Sequence, residues 1–317
     1  MIRYYLGSAQ SLREVKTLFE ASWIHVSSPF EPGELEQFAN QLGIEIDFLS
    51  DPLDPEERAR YEKYDEARSI ILHTPVINDA EKENDPIFIT VPLGIVLCQN
   101  KIVTICAEES PVMSKFLEGR IKRVNTMDER VFILQIFEQN VLLFLEYLKK
   151  LNLKRGLIEQ ELYHSSRSQE LKSLLRIEKS LVYFVNSLSA NELLKIKMKR
   201  TDFLGTKDHV DYDELFEDII VDSNQAREVA QLYTNILNGT MEAYASIISN
   251  NLNIFINRLT VITILLMVPT LIASFFGMNV PMPLNMGNSS ASFYLIILFT
   301  AGTGLLLAWI LKRKKIL

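Results

Sequence analysis

The chain has 317 residues, which is enough for about two domains, and it carries a formal net charge of −7. This acidity argues against nucleic acid as a partner. The sequence contains no phosphate-binding loop, no glycine-rich nucleotide fingerprint and no nucleophile elbow, so we expect neither a nucleotide ligand nor an enzyme.

Residues 1–113 alternate short β-rich segments with short helical ones, which predicts an α/β cytosolic domain whose strand order stays open. The segment Met1–Leu6 lacks the pattern of a signal peptide. Cys98 and Cys106 are the only cysteines, and without accompanying histidines we expect two reduced, buried thiols rather than a zinc site. Strands are predicted at 69–74, 87–92, 94–98 and 102–106, a turn at Gln99–Asn100, and helices at 32–42 and 55–64.

Residues 114–208 form a predicted cytosolic helical region, and a single long helical pattern follows at 209–276. The apolar runs at 131–137 and 141–148 stop at charged residues, so we expect them to pack in a core. The long helix would measure about 100 Å at 1.5 Å per residue. Because one small domain cannot bury the apolar stripe of so long a helix, we expect it to pack on neighbouring copies.

Two uncharged apolar runs end the sequence, at 259–276 and 291–311, and each can cross the hydrocarbon core of a bilayer. The loop 277–290 between them contains no Lys or Arg, whereas Arg258 precedes the first run and the basic tail 312–317 follows the second. By the positive-inside rule we expect a multi-pass protein of the plasma membrane, in contact with lipid, with both termini in the cytosol and the loop outside.

Polar neutral residues recur in steps of three and four along the first apolar run and the turns before it, which indicates the wall of a pore. The alternative is that each threonine bonds to a carbonyl of its own helix and has only a structural role. Further back on the same face, Glu242 is either an acidic ring at the inner mouth or an ordinary solvated charge. The face consists of Asn253, Ile256, Thr260, Thr263, Met267, Thr270 and Ser274.

The first apolar run ends at the triplet Gly277-Met278-Asn279, and this arrangement resembles the CorA family of magnesium and cobalt transporters. The close match covers 239–279, and a looser one extends back to Asp51. Two departures stand out: Phe276 replaces the family's usual tyrosine, and the loop after the triplet lacks the acidic residues of better-known members. A glycine helix cap followed by a polar loop is the alternative interpretation of the triplet.

The resemblance implies a CorA-like architecture: an α/β N-terminal domain, long stalk helices, two C-terminal transmembrane helices and a homopentamer with the long helix at its axis. It implies passive uptake of Mg²⁺, or of Co²⁺ or Ni²⁺, driven by the membrane potential and gated by intracellular Mg²⁺. A zinc transporter of the same superfamily and a membrane-anchored sensor or scaffold without a pore are the alternatives.

The resemblance also assigns roles to individual residues, with Mg²⁺ as both the transported and the regulatory ion. Gly277, Met278 and Asn279 would form the selectivity motif. Asp218 would sense divalent cations together with an acid from a neighbouring copy's α/β domain, although acidic runs are usually only solvated loops. Further candidate regulatory ligands are Asp222, Asp79 and Asp85.

Overall fold

A computed structural model describes residues 1–8, 11–30, 33–64, 66–78, 84–164, 168–278 and 290–313. The chain divides into two compact units, Met1–Met241 and Glu242–Leu317, and the longest helix contributes residues to both. The predicted Asp79 and Asn279 lie outside the described residues.

The first unit contains a seven-stranded sheet in the described residues, with strand order β2-β1-β3-β7-β6-β5-β4. Neighbouring strands are antiparallel except β3 and β7, which are parallel. The strands are β1 Ile2–Ser8, β2 Ser11–Val15, β3 Trp23–Ser27, β4 Arg60–Tyr64, β5 Ala67–Ile77, β6 Phe88–Cys98 and β7 Lys101–Cys106. The helices of the chain are α1 Glu34–Leu42, α2 Asp47–Ser50, α3 Pro111–Leu117, α4 Glu129–His164, α5 Ser168–Arg200, α6 Val210–Phe276 and α7 Ser290–Arg313.

The predicted helix at 55–64 is wrong, because Arg60–Tyr64 is the edge strand β4. This strand pairs along its whole length with β5, and the Tyr61 ring packs 4.6 Å from that of Phe203. Pairing with an available sheet edge therefore outweighs the helix preference of a Glu- and Arg-rich segment. The strands β1, β2 and β3 had no counterpart in the sequence analysis, and 87–92 and 94–98 are one strand rather than two.

Strand β5 is attached to two helices at His73, which lies opposite Pro92 of β6. Asn140 of α4 and Asn191 of α5 donate to the carbonyl oxygen of His73 at 2.9 and 2.7 Å. The Asn191 side chain also accepts the His73 amide at 2.9 Å. These bonds explain why two amide side chains are buried here, and they attach both helices to the sheet.

The predicted hairpin between β6 and β7 is confirmed. Gln99 and Asn100 have φ values of 48° and 54°, as in a two-residue turn that matches the twist of the strands. The flanking Cys98 and Cys106 are free and buried, as predicted. Burial raises the pKa of both thiols to about 11, so they are protonated at neutral pH.

The long helices pack together in the first unit. The predicted helical region is interrupted by an irregular connector at 118–128 between α3 and α4. One face of α6 is buried within its own chain as far as Leu237, and the packing of the long helix on neighbouring copies stays a prediction. That face consists of Phe216, Ile219, Ser223, Ala226, Ala230 and Leu237.

Three of the described helices, α4, α6 and α7, are long and apolar enough to cross a membrane. In α4, 61% of the most apolar window is buried, which is typical of a core helix, whereas in α6 and α7 the shares are 6% and 0%. Within the second unit α6 and α7 lie side by side: a Cβ added to Gly304 would approach the Pro269 ring at 3.6 Å. The uncovered apolar surface is therefore concentrated on the two segments in which the sequence predicts spans.

Candidate ion pathway and regulatory acids

The predicted pore-lining residues share one exposed face of α6. All seven, from Asn253 to Ser274, are exposed in the single chain. The face that packs toward α7 contains the less exposed Val261, Leu265, Pro269 and Phe276. At 3.6 residues per turn the two faces lie about 180° apart. The polar face is thus free of contacts with α7 and is presented to whatever surrounds the chain.

The threonine hydroxyls on this face bond to their own helix, as the structural alternative expects. Thr260, Thr263 and Thr270 donate to the carbonyl oxygens four residues earlier at 2.9, 2.8 and 2.7 Å. A hydroxyl whose hydrogen is engaged in this way keeps its lone pairs for an outside donor. The three hydroxyls therefore present a row of hydrogen-bond acceptors along this face. A structural role of the threonines is thus compatible with a role in lining a pore.

Helix α6 ends at Phe276, and the triplet begins directly after it. The Gly277 amide donates to the carbonyl oxygens of Ala273 and Ser274 at 3.0 and 3.2 Å, and the Met278 amide to that of Phe275 at 3.3 Å. Gly277 is not among the residues with positive φ, so the left-handed glycine cap does not describe this end of the helix. A Cβ at position 277 would come no closer than 3.5 Å to any atom of the described residues, so nothing within the described chain requires glycine here.

Toward the other end of the same face, Glu242 is exposed, as are Ser246 and Ser249. This exposure fits both a wet inner mouth and a solvated helix surface.

The acids at the start of α6 are in different surroundings. Asp218 is exposed and has no ion-pair partner among the described residues. Its neighbour Glu217 is bonded to Lys199 of α5, which also lies 3.6 Å from Asp213. Asp222 is half-buried. Of the acids on this stretch that the sequence analysis weighed, Asp218 is therefore the one most available to an outside cation.

Asp85 lies beside α5. Its carbonyl oxygen accepts a hydrogen bond from Arg176 at 2.7 Å, and that of Asn84 accepts one from Lys179 at 2.6 Å. The described residues contain no cluster of three or more His, Cys, Asp or Glu side chains that could hold a metal ion.

Lys195 of α5 is a buried charge that the sequence analysis missed. The residue is 1% exposed, its Nζ donates to Ser223 Oγ of α6 at 2.6 Å, and Nζ lies 5.7 Å from the ring centroid of Phe137 in α4. Burial lowers the pKa of the Lys195 ammonium to about 7, although the negative charges of Glu192 and Asp222 act to raise it. The sequence could have identified it, because Lys195 follows Leu188 and Asn191 and precedes Met198 at helical spacings of three and four residues, which places it on the buried face of α5.

Comparison with known proteins identifies the family. The model of the family described as CorA-like Mg²⁺ transporter protein matches residues 20–313. The cobalt/magnesium transport protein CorA of Methanocaldococcus jannaschii is 26% identical over 306 residues, covering 92% of this chain and 90% of that protein. The protein of the same name from Thermotoga maritima is 22% identical over 264 residues, covering 81% and 73%.

A solved structure gives the same result for the fold. The complete structure of the CorA magnesium transporter from M. jannaschii superposes with a TM-score of 0.83 at 22% identity, covering 99% of this chain and 98% of that one. The α/β domain, the long helices and the C-terminal apolar helices thus reproduce a known arrangement. With a family match over nearly the whole length, the chain belongs to the CorA family of divalent-cation transporters, which are not enzymes.

Proposed function

We propose that the chain is a passive, channel-like transporter that takes up Mg²⁺ as a homopentamer, with α6 of each copy around a central pore. The polar face of α6 carries this proposal. It runs along a helix whose apolar window is almost uncovered, it is turned away from α7, and it offers acceptor oxygens without a single carboxylate between Asn253 and Ser274. A lone membrane anchor would have no use for such a face.

Neutral oxygens suit a hydrated magnesium ion. Mg²⁺ gives up its water reluctantly, so a pore that passes it with water attached needs acceptors for the hydrogens of that water. Hydroxyl groups that have already donated to their own helix provide them. A ring of carboxylates within the membrane would bind the dication too strongly for rapid release.

Gly277, Met278 and Asn279 form the outer mouth in this proposal. Neither the backbone conformation nor the packing of the described residues requires glycine at position 277. This supports a requirement from outside the chain, such as the close approach of a neighbouring copy or of a passing ion. One Asn279 amide from each copy would supply an oxygen to the hydrated cation. Glu242 would form a ring that attracts cations at the cytosolic end.

The membrane potential drives uptake in this proposal, with the loop outside and both termini in the cytosol. A dication moving inward gains about 4.6 kcal/mol per 100 mV of inside-negative potential, twice the value for a single charge. No nucleotide is needed.

Regulation by intracellular Mg²⁺ follows from the exposed Asp218. Since no metal-binding cluster occurs within the described residues of one chain, a regulatory site would be shared between copies. Asp218 would face an acid of a neighbour, with Asp85 or Asp79 as candidates and Asp222 as a further ligand. Bound Mg²⁺ would favour the closed state only by its difference in affinity between the two states.

Purified protein in liposomes loaded with a Mg²⁺-sensitive dye tests the proposal. We expect wild-type uptake, loss of uptake in Asn279→Ala, and wild-type uptake in the control Asn251→Ala, which lies on α6 away from the polar face. A parallel series with Co²⁺, Ni²⁺ and Zn²⁺ ranks the ions. The names of the curated relatives favour Mg²⁺ and Co²⁺ over Zn²⁺. Zn²⁺ uptake without Mg²⁺ uptake would overturn the choice of ion, and equal uptake by Asn279→Ala would overturn the role of the triplet.

A further inference from the structure

A cavity of about 750 Å³ in the first unit has a positive lining in an otherwise acidic chain. It lies between the β1–β2 hairpin and the connector at 118–128. Arg3, Lys122 and Arg123 line it, against Glu14 as the one acid among the described lining residues. This size falls in the range of small-molecule sites.

The three cations are not neutralised by the protein. Within the described ranges none of them forms an ion pair, and the one side-chain bond among them runs from Arg3 Nε to the Met1 sulfur at 3.2 Å. Elsewhere in the same unit arginines such as Arg60, Arg68 and Arg155 are paired with carboxylates. Three unpaired cations around one cavity, in a chain with a net charge of −7, indicate a site for an anion.

The backbone at this cavity is strained. Arg123 has φ of 58°, a conformation that long side chains rarely adopt, and it is not part of a hairpin turn as Gln99 and Asn100 are. Gln135 of α4 holds it in place by donating to the Arg123 carbonyl oxygen at 3.2 Å. A long side chain held in the left-handed region beside a cavity is typical of a site whose geometry serves a ligand.

We propose that this cavity binds a small phosphate-bearing anion. The planar forks of Arg3 and Arg123 and the ammonium of Lys122 match the oxygens of a di- or triphosphate. The buried rings of Tyr5 and Phe116 form apolar parts of the wall. The inference rests on the first unit alone and does not depend on transport.

Trp23 provides a native probe. Its ring lies 5.0 Å from that of Tyr5 and 6.3 Å from that of Phe116, so occupancy of the cavity should change its emission. Trp309→Phe in the full chain leaves Trp23 as the single tryptophan. The titrants are tripolyphosphate, ATP, inorganic phosphate and adenosine, in detergent with a chelator so that Mg²⁺ complexes are absent.

We expect saturable binding of tripolyphosphate and ATP that weakens as salt rises, and none of adenosine. Lys122→Gln combined with Arg123→Gln should reduce affinity at least about tenfold. The control Lys63→Gln with Lys154→Gln removes the same charge from exposed positions outside the cavity and should stay within about twofold. Binding of inorganic phosphate as tight as that of ATP would place recognition on a single phosphate group and would support the proposal.

The variant Arg123→Gly distinguishes loss of binding from loss of folding. Glycine readily adopts the left-handed conformation at this position, and the substitution still removes one cation. We expect this variant to unfold at the wild-type temperature or above and to bind tripolyphosphate more weakly. The proposal is overturned if the double glutamine variant binds like wild type, if adenosine binds as tightly as ATP, or if no phosphate compound gives saturable binding at millimolar concentration.

Discussion

Replacing the buried Lys195 with methionine should stabilise the protein at neutral pH. The ammonium is enclosed by α4, α5 and α6 and, within the described part of the chain, has one hydrogen-bond partner, Ser223. Lowering its pKa from 10.5 to about 7 corresponds to roughly 5 kcal/mol against the charged form, at about 1.4 kcal/mol per unit. Methionine keeps an aliphatic stem, and Ser223 keeps its bond to the Ile219 carbonyl oxygen at 2.7 Å. After about 1 kcal/mol for the lost lysine bond, we expect a net gain of roughly 2–4 kcal/mol at pH 7.

The gain should depend on pH in a defined window. Between pH 7 and 10.5 the unfolded Lys195 holds its proton while the folded one has lost it, so the unfolded state binds more protons. The wild-type free energy of unfolding therefore rises with pH across this window. The methionine variant lacks this rise, so its advantage is full at and below pH 7 and disappears as pH approaches 10.5.

Denaturant unfolding followed by Trp23 fluorescence measures the effect. Trp23 is fully buried in the first unit, and Trp309→Phe removes the other tryptophan. Lys197→Met is the matched control, since that lysine is exposed on the same helix and its replacement should change stability by less than about 0.5 kcal/mol. Equal slopes of the free energy of unfolding against pH for wild type and Lys195→Met, or a less stable variant at pH 7, would show that the buried ammonium does not destabilise the folded chain.

Three further predictions concern the sheet, the pore and the sensor. Asn191→Ala should lower the free energy of unfolding by about 1–3 kcal/mol, because it takes a donor from the His73 carbonyl; an unchanged midpoint would show that Asn140 alone suffices. Cysteine at Thr270 should react with a water-soluble thiol reagent in liposomes while cysteine at the exposed, off-face Ile262 should not, and equal labelling would contradict the pore wall. Asp218→Ala should weaken inhibition of flux by internal Mg²⁺; an inhibition curve that superimposes on wild type would remove this residue from the sensor.

Local patterns account for the parts of the fold that the sequence predicts. The hairpin at Gln99–Asn100 follows from two β-rich runs around a short polar turn, and α6 follows from a helical periodicity over nearly seventy residues that has gaps only at Asp222 and Thr240. The strand β4 was missed because its pairing partner β5 is fixed by contacts that no local window contains. The bonds to the His73 backbone come from Asn140 and Asn191, and only the tertiary fold brings these side chains to β5.

The candidate site divides in the same way. The polar face from Asn253 to Ser274 can be read from spacing alone, because one regular helix carries it. The sequence could not show which of the proposed regulatory acids is available to a cation, because this depends on contacts with α5. Lys199 of that helix pairs with Glu217, and Asp218 has no ion-pair partner among the described residues.

Mg²⁺ entry into proteoliposomes under an imposed potential tests whether the chain forms a passive pore. With wild-type protein and no nucleotide, we expect entry that grows steadily as the interior is made more negative and that disappears in Asn279→Ala liposomes with the same protein content. Absence of Mg²⁺ entry at every potential, in vesicles shown to contain protein in both orientations, would exclude a passive Mg²⁺ pore.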